Sequence, residues 1–283
     1  MTLSATAATK GAGPTDLPPR NRVTASASVE AIAGPGGATR LPVLRSQAPL
    51  VLRRTPSAVY LVGGAAGPIG GDELDLRIAV GAGAFLRLRT AAASIALPGL
   101  DGRESVLRVS VTVAAGGRLE YLPEPLVVSA GARHATLVSA ALAEGASLVL
   151  RDELLLGRHG EAGGSARTVL QVTYAGRSLL RQSLSVSGTD PVALGPAMLA
   201  GHRAVGSLLL AGEGADPGTD VTGGDAADRA TPERAVMRLA GPGILLTALA
   251  GDAVTLRRRL RPGAVSGGRG PRAVLGGQGP RAV

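Results

Sequence analysis

Apolar and polar side chains alternate along the central part of the chain. The alternation is clearest in LDLRIAV at 74–80, VLRVSVTV at 106–113 and ATLVSAAL at 135–142. Apolar residues recur there at every second position, whereas an amphipathic helix would place them at every third and fourth. These segments therefore predict β-strands, each with one face turned toward a core.

A glycine-centred segment follows each of these strands. VGAGAFLRL at 80–88, VAAGGRLEY at 113–121 and LAEGASLVL at 142–150 share one pattern, and VTYAGRSLL at 172–180 is a shorter relative. Their central glycines recur about every 30 residues, and glycine readily adopts the positive φ that tight turns need. This period predicts a mainly β fold with a β-helix-like or stacked-hairpin architecture. A two-sheet sandwich with regular hairpins is the alternative.

Helical signals are confined to two short segments. GPAMLAG at 195–201 predicts a short helical turn. DAVTLRRRL at 252–260 predicts a helix that begins at an N-cap, Asp252, and ends in arginines, which suit the C-terminal end of the helix dipole. We therefore expect about two short helices beside the strands.

Glycine, proline and charge divide the chain into regions. We expect a disordered arm at 1–22, a single β domain at 23–261 and a Gly/Pro/Arg-rich disordered tail at 262–283. The β domain includes an acidic loop at about 211–232.

The composition excludes several classes of protein. Of the 283 residues 45% are hydrophobic but only 1% are aromatic, so the core must be aliphatic, which suits pleated sheets. The absence of cysteine excludes disulfides, thiolate zinc sites and a cysteine nucleophile. The longest apolar stretch near the C-terminus, 243–256, contains Asp252 and is shorter than the roughly 20 residues that span a bilayer. We expect a cytoplasmic protein without a membrane partner.

The net charge of +9 does not predict nucleic-acid binding. Seven arginines and no acid lie in 257–283, so most of the excess charge belongs to the C-terminal end. Nucleic-acid binding would favour a basic face interleaved with aromatic side chains, and the sequence shows no such pattern.

No enzyme class is predicted either. The three histidines, His134, His159 and His202, are not spaced as metal ligands, and we interpret them as surface or hydrogen-bonded loop residues. A GxSxG motif is absent from the sequence. The glycine-rich run at 63–76 lacks the phosphate-binding signature and precedes a strand rather than a helix.

Four carboxylates are the candidates for chemistry, because a carboxylate among apolar neighbours is costly to bury unless it is paired or binds a cation. They are Asp72, Glu120, Asp152 and Glu153. Oxygen and imidazole ligands suit nickel or zinc. The alternative is that arginines pair with these acids across strands. Those arginines are Arg87, Arg89, Arg118 and Arg151.

An ordered set of segments resembles one known family. The GGD loop at 70–72, the LPEP segment at 122–125 and RDELLLGR at 151–158 occur in the order and at the spacings of the urease accessory protein UreD, also called UreH. The chain is most similar to the type found in high-GC actinobacteria. The resemblance covers about 40–260.

The resemblance implies a non-enzymatic protein with a β-helix-like fold. It implies a scaffold that binds apo-urease and, with UreF and the GTPase UreG, assists GTP-dependent nickel insertion into the urease metallocentre. We expect no tightly bound cofactor, only transient nickel, whose passage would be lined by Glu153, Asp72, Glu120 and Asp152. A structural β-solenoid that binds partners without a metallochaperone role is the alternative.

Overall fold

The computed structural model describes residues 22–214 and 233–261, which form seventeen strands and two α-helices. The predicted arm, apart from its last residue, the tail and most of the acidic loop lie outside these ranges. The strands are β1 (Thr24–Ala33), β2 (Thr39–Arg45), β3 (Leu50–Arg54), β4 (Val59–Gly63), β5 (Glu73–Val80), β6 (Phe85–Thr90), β7 (Ser94–Ala96), β8 (Ser105–Val113), β9 (Arg118–Leu122), β10 (Leu126–Val128), β11 (Arg133–Leu142), β12 (Ser147–Leu156), β13 (Ser165–Tyr174), β14 (Arg177–Ser187), β15 (Ala204–Gly212), β16 (Arg234–Arg238) and β17 (Gly243–Ala250). The helices are α1 (Pro191–Leu194) and α2 (Ala253–Arg259).

The strands form two facing sheets. Sheet A has the order β14-β13-β11-β8-β5-β1-β2, and sheet B has the order β16-β17-β15-β12-β9-β6-β4-β3 with β7 and β10 attached beside β12. Successive copies of the repeat pair in parallel: β5 with β8, β8 with β11 and β11 with β13 in sheet A, and β6 with β9 and β9 with β12 in sheet B. The chain therefore winds into a β-solenoid of about four turns, which confirms the mainly β, β-helix-like prediction.

The repeated glycines form the corners of the solenoid. Gly83, Gly116 and Gly145 have φ values of 64°, 66° and 75°, and each follows a strand of sheet A and precedes a strand of sheet B. Only the fourth copy is a hairpin: Ala175 and Gly176, both at positive φ, join the antiparallel strands β13 and β14. The parallel pairing of the other copies distinguishes this fold from the sandwich of hairpins.

The core between the sheets is aliphatic, as the composition predicts. Leu76, Ile78, Leu88, Leu119 and Leu150 are among its fully buried side chains. Because the inner faces of both sheets supply such residues at every second position, the core runs along the solenoid without aromatic side chains other than Tyr121 and the partly buried Tyr174.

Helix α1 begins before the predicted position. The side chain of Asp190 accepts a hydrogen bond from the Val192 amide at 2.9 Å, and Pro191 occupies the first turn, so the helix spans Pro191–Leu194 rather than 195–201. Proline at the first helical position and an aspartate N-cap favour this start.

Helix α2 lies where it was predicted. Asp252 accepts a hydrogen bond from the Thr255 amide at 2.9 Å, and the helix packs on β12, β15 and β17. Leu256 and Leu260 are buried against the outer face of sheet B. Among the described residues, neither helix is long and apolar enough to cross a membrane.

The close approach of coils at Gly164 predicts a strong effect of a single methyl group. A Cβ atom there would lie 2.5 Å from the Ser129 carbonyl oxygen and would also collide with the Ala132 carbonyl. We expect Gly164→Ala to lower the free energy of unfolding by about 3 kcal/mol, because backbone atoms cannot move aside. Urea-induced unfolding followed by circular dichroism measures this change.

Gly83→Ala is the matched control. Its Cβ atom would meet open space at a positive φ, so only backbone strain remains and we expect a loss of about 1 kcal/mol. Equal losses in the two variants would contradict the packing argument.

Candidate functional site

Strand β12 places two neighbouring carboxylates on opposite sides of sheet B. Asp152 shares the inner face with Leu150 and Leu154, which are buried in the core. Glu153 points to the outer face, toward helix α2. Because successive side chains of a strand alternate between faces, the two acids meet entirely different surroundings.

The outer acid, Glu153, is enclosed by arginines. Its side chain is 0% exposed, and both of its oxygens accept hydrogen bonds from Arg257 Nε at 3.2 Å, while Arg257 Nη2 lies 2.5 Å from Oε2. Arg151 Nε is 3.4 Å from the same oxygen. These hydrogen bonds raise the pKa of Arg257, so the guanidinium stays charged and clamps α2 to β12.

Glu124 completes this network. Arg257 Nη1 donates to Glu124 Oε2 at 2.8 Å, and Arg151 Nη2 donates to Glu124 Oε1 at 3.4 Å. Two acids and two arginines therefore neutralise one another at the edge of α2. Arg257 and Glu124 lie 133 residues apart in the chain, so no local sequence pattern predicts that they pair.

The other two candidate carboxylates lie elsewhere. Glu120 on β9 accepts hydrogen bonds from Arg87 on β6 at 2.6 and 3.3 Å, and the two residues are direct neighbours in register. Asp72 accepts from the backbone amides of Ile69 at 2.9 Å and Val23 at 3.2 Å. Asp72 thus holds the glycine-rich loop against the start of β1.

The structure does not gather the four carboxylates into one cluster. Within residues 22–214 and 233–261, no group of three or more histidine, aspartate or glutamate side chains could hold a metal ion. The predicted arginine pairing holds for Arg87 and Arg151. Arg89 and Arg118 form no ion pair with the carboxylates of the described part of the chain.

Asp152 faces a cavity between the two sheets. The cavity has a volume of about 390 Å³. Its polar lining comes from hydroxyl, amide, carboxylate and guanidinium groups, namely Thr136, Asp152, Thr168, Gln182, Ser207, Glu233, Arg234 and Thr247. Asp152, Ser207 and Thr247 are neighbours in register on β12, β15 and β17, so they form one polar row across an otherwise apolar inner face.

A second cavity of about 120 Å³ adjoins the first. The two share Thr136, Val138, Leu150 and Asp152 in their linings, which places Asp152 where they meet. Burial, and then the charge of Glu153, raise the pKa of Asp152 to about 6. At neutral pH the carboxylate is therefore ionised but readily protonated.

His134 lies in the wall of the second cavity. It is 1% exposed, and its Nδ1 lies 2.9 Å from Ser105 Oγ while its Nε2 lies 3.2 Å from Thr136 Oγ1. Burial lowers the pKa of His134 to about 4, so the imidazole is neutral at pH 7. The prediction of a hydrogen-bonded residue is right, but His134 lies in β11 rather than in a loop.

The alternation of inward and outward side chains along β11 shows that His134 faces the core. His134, Thr136 and Val138 occupy alternate positions of β11, and the register places them beside the inward-facing residues of β8. The segment ATLVSAAL predicts a strand at 135–142 only, which places His134 in the preceding loop.

Comparison with known proteins adds a separate observation. The family model described as UreD urease accessory protein matches residues 24–267. The chain belongs to the UreD family.

Curated relatives agree with this assignment over most of their length. The chain is 41% identical to the urease accessory protein UreD of Parafrankia sp., over 91% of this chain and 93% of that protein. It is 44% identical to UreD of Frankia alni, over 85% and 92%. It is 42% identical to UreD of Streptomyces coelicolor, over 84% and 94%.

The UreD family membership establishes the class of function. The protein is a urease accessory protein, a non-catalytic chaperone involved in urease maturation. This confirms the resemblance in its ordered segments and the prediction that the chain is not an enzyme. The role of Glu153, Asp72, Glu120 and Asp152 in nickel passage stays a prediction.

The clamp on α2 predicts a loss of stability when Arg257 is shortened to an uncharged side chain. Arg257→Met leaves the fully buried Glu153 carboxylate with Arg151 alone, so we expect the free energy of unfolding to fall by about 3 kcal/mol. Arg258→Met on the exposed side of the same helix is the control, with an expected change within about 0.5 kcal/mol. Urea unfolding measures both. Equal effects would show that α2 is held by its apolar side chains alone.

The raised pKa of Asp152 predicts a pH-dependent effect of Asp152→Asn. The pKa of Asp152 is about 6 in the folded protein, whereas the ordinary pKa of an aspartate is 3.8. Ionisation of Asp152 therefore lowers the stability of the wild type as the pH rises from about 4 to about 6. Asparagine has no proton to lose. We expect the variant to be more stable by about 2–3 kcal/mol at pH 7 and the difference to vanish below about pH 4.

Unfolding in urea at several pH values measures this difference. His134 gives the opposite slope, since its lowered pKa makes stability rise as pH increases from about 4 to 6.5. Variant and wild type are therefore compared at each pH, where the His134 contribution cancels. A stability difference that does not change with pH would contradict the assignment.

Proposed function

We propose that this UreD family member is a scaffold that binds apo-urease and, with UreF and the GTPase UreG, assists GTP-dependent nickel insertion into the urease metallocentre. The family membership supports this proposal. The glycine-rich run before Asp72 leads into strand β5 rather than a helix, so it lacks the helix N-terminus that a phosphate-binding loop uses. GTP hydrolysis would therefore be carried out by UreG, and nickel insertion would take place in the cytoplasm.

The observation that carries the nickel proposal is the polar lining of the joined cavities. Asp152 supplies a carboxylate, and Ser207, Thr247 and Thr136 supply hydroxyl groups within an aliphatic core. Nickel accepts oxygen and imidazole ligands, and the neutral His134 imidazole lines the second cavity. Such ligands would hold the ion weakly enough for release.

Asp152 is the candidate carboxylate that we expect nickel to meet. No described residue donates a hydrogen bond to its side chain, whereas Glu153, Glu120 and Asp72 already bind arginines or backbone amides. A carboxylate without a competing donor is free to take a cation. The other three would act by keeping the walls of the passage in place.

The opening of the larger cavity favours entry from one end of the solenoid. Met198 and Met237 line this cavity and are themselves 38% and 43% exposed. Gln182 of the edge strand β14 and Met237 of the edge strand β16 line this cavity from the two facing sheets. An ion delivered by a partner would thus pass between two edge strands before it reaches Asp152.

Asp152→Asn tests the proposal in cells that express the urease genes with this chain. We expect the nickel content of purified urease and its activity to fall at least about ten-fold, because an amide is a poor ligand for a divalent cation. The substitution is expected to stabilise the fold, so a loss of activity would not arise from unfolding. Glu144→Gln, on an exposed corner, is the control.

Normal nickel content of urease in cells with the Asp152→Asn variant would contradict the nickel role of Asp152. Glu153→Gln separates the two acids: reduced nickel content in a protein that remains folded would assign passage to Glu153 instead. If both variants activate urease normally while removal of the whole chain does not, the protein would act as a binding scaffold without a metallochaperone role.

A further inference from the structure

Half of the outer face of sheet B carries a concentrated set of arginine and aromatic side chains. This surface, which we name the arginine face, consists of Arg53, Tyr60, Phe85, Arg87, Arg89 and Arg118. It includes two of the four aromatic residues in the chain. Four adjacent strands contribute to it, namely β3, β4, β6 and β9.

The register of the strands aligns these side chains in rows. Arg53 is opposite Tyr60, and Tyr60 is opposite Arg89, so these three form one row across β3, β4 and β6. Phe85 is opposite Arg118 in a second row. Residues directly opposite share a face of the sheet, so all of these side chains project from the same side.

The arginine face is the part of the outer surface that α2 leaves uncovered. Helix α2 packs on β12, β15 and β17, which form the other half of the sheet. Phe85 is 40% exposed, and Arg53 and Arg118 are exposed as well. An exposed phenylalanine beside arginines is unusual in a chain whose other apolar rings are largely sheltered.

Positive charge on this face is poorly balanced within the described part of the chain. Glu120 binds Arg87, which also lies 5.4 Å from the centre of the Phe85 ring. Arg53 donates only to the carbonyl oxygen of Leu52, at 3.1 Å. Arg89 Nε is shielded from solvent and finds no acceptor among the described residues, which costs free energy.

We propose that the arginine face binds an acidic, extended segment of a protein partner in urease maturation. Carboxylates would pair with Arg53, Arg89 and Arg118, and apolar side chains of the segment would pack on Tyr60 and Phe85. This inference goes beyond the nickel proposal and does not depend on it, although its test uses the same partner proteins.

The spacing of the arginines specifies the segment. Arg53 and Arg89 are two strands apart, a distance of about 10 Å between strand axes. An extended chain rises about 3.3 Å per residue, and its side chains alternate between two sides. Acidic residues four positions apart in the segment, about 13 Å, would therefore project to the same side and reach both guanidinium groups.

A protein suits this surface better than a nucleic acid. Arginine, tyrosine and phenylalanine are enriched where proteins meet. Tyr60 and Phe85 lie in different rows and strands, so they do not form a continuous platform for stacked bases, which single-strand binding favours.

Charge reversal at the two exposed arginines provides the test. The tagged full-length chain is co-expressed with the urease subunits, UreF and UreG, and the proteins retained with it are quantified at low and high salt. We expect the double variant R53E and R118E to retain at least about ten-fold less of one of these partners at low salt, because opposite charges that attracted now repel.

The matched control applies the same change of charge to the other sheet. R77E and R181E alter two exposed arginines on the outer face of sheet A, and we expect retention within about two-fold of the wild type. If the charge-reversed protein is less folded by circular dichroism, R53Q and R118Q replace it. Wild-type retention by either variant of the arginine face in folded form would overturn the proposal.

A photo-crosslinking residue in place of Phe85 identifies what lies on the face in cells. A crosslinked peptide from a urease-maturation protein, with two acidic residues four positions apart, would support the proposal. A peptide without such acids, or a product removed by nuclease, would overturn it. If the wild type retains no urease protein at all, the scaffold function fails, and the crosslink still decides whether an acidic segment binds here.

Discussion

Parallel pairing between neighbouring coils is the interaction on which the rest of the molecule depends. A single coil cannot satisfy the backbone groups of its strands, so β8 takes its partners from β5 on one side and β11 on the other. The register of this pairing also decides which side chains enter the core. A slip of one residue in β12 would turn Asp152 outward and Glu153 inward, which would exchange a cavity carboxylate for a buried ion pair.

Strand β12 therefore places its two adjacent acids, Asp152 and Glu153, in different surroundings. Glu153 is held by Arg257, from a helix 104 residues later in the chain, and its charge is used to fasten α2. Within residues 22–214 and 233–261, no arginine forms an ion pair with Asp152, whose side chain lines the cavity instead. A buried ion pair contributes little stability compared with apolar packing, so the clamp serves mainly to fix where α2 lies. That position leaves β3, β4, β6 and β9 uncovered.

Much of the fold could be predicted because its determinants are local. Alternation located β5, β8 and β11, the repeated glycines located the corners, and Asp252 marked the start of α2. The pair of Arg87 and Glu120 is 33 residues apart, about one coil, so the repeat itself brings them together. Arg257 obeys no such period. Its partners follow from the way α2 folds back on sheet B, which no short segment of sequence contains.

Charge totals are a poor guide to this protein because position decides what each charge does. The sequence attributes most of the excess charge to the C-terminal end and indicates no basic face with aromatic side chains. Yet Tyr60 and Arg89 are far apart in the sequence and become neighbours only when β4 pairs with β6. Under α2, acids and arginines alternate and neutralise one another. Among the described residues of the uncovered half, four arginines lie beside one carboxylate, that of Glu120. The local charge of the arginine face is therefore a better basis for the proposed acidic partner than the net charge of the chain, because salt screens exposed charges that lie more than about 10 Å apart.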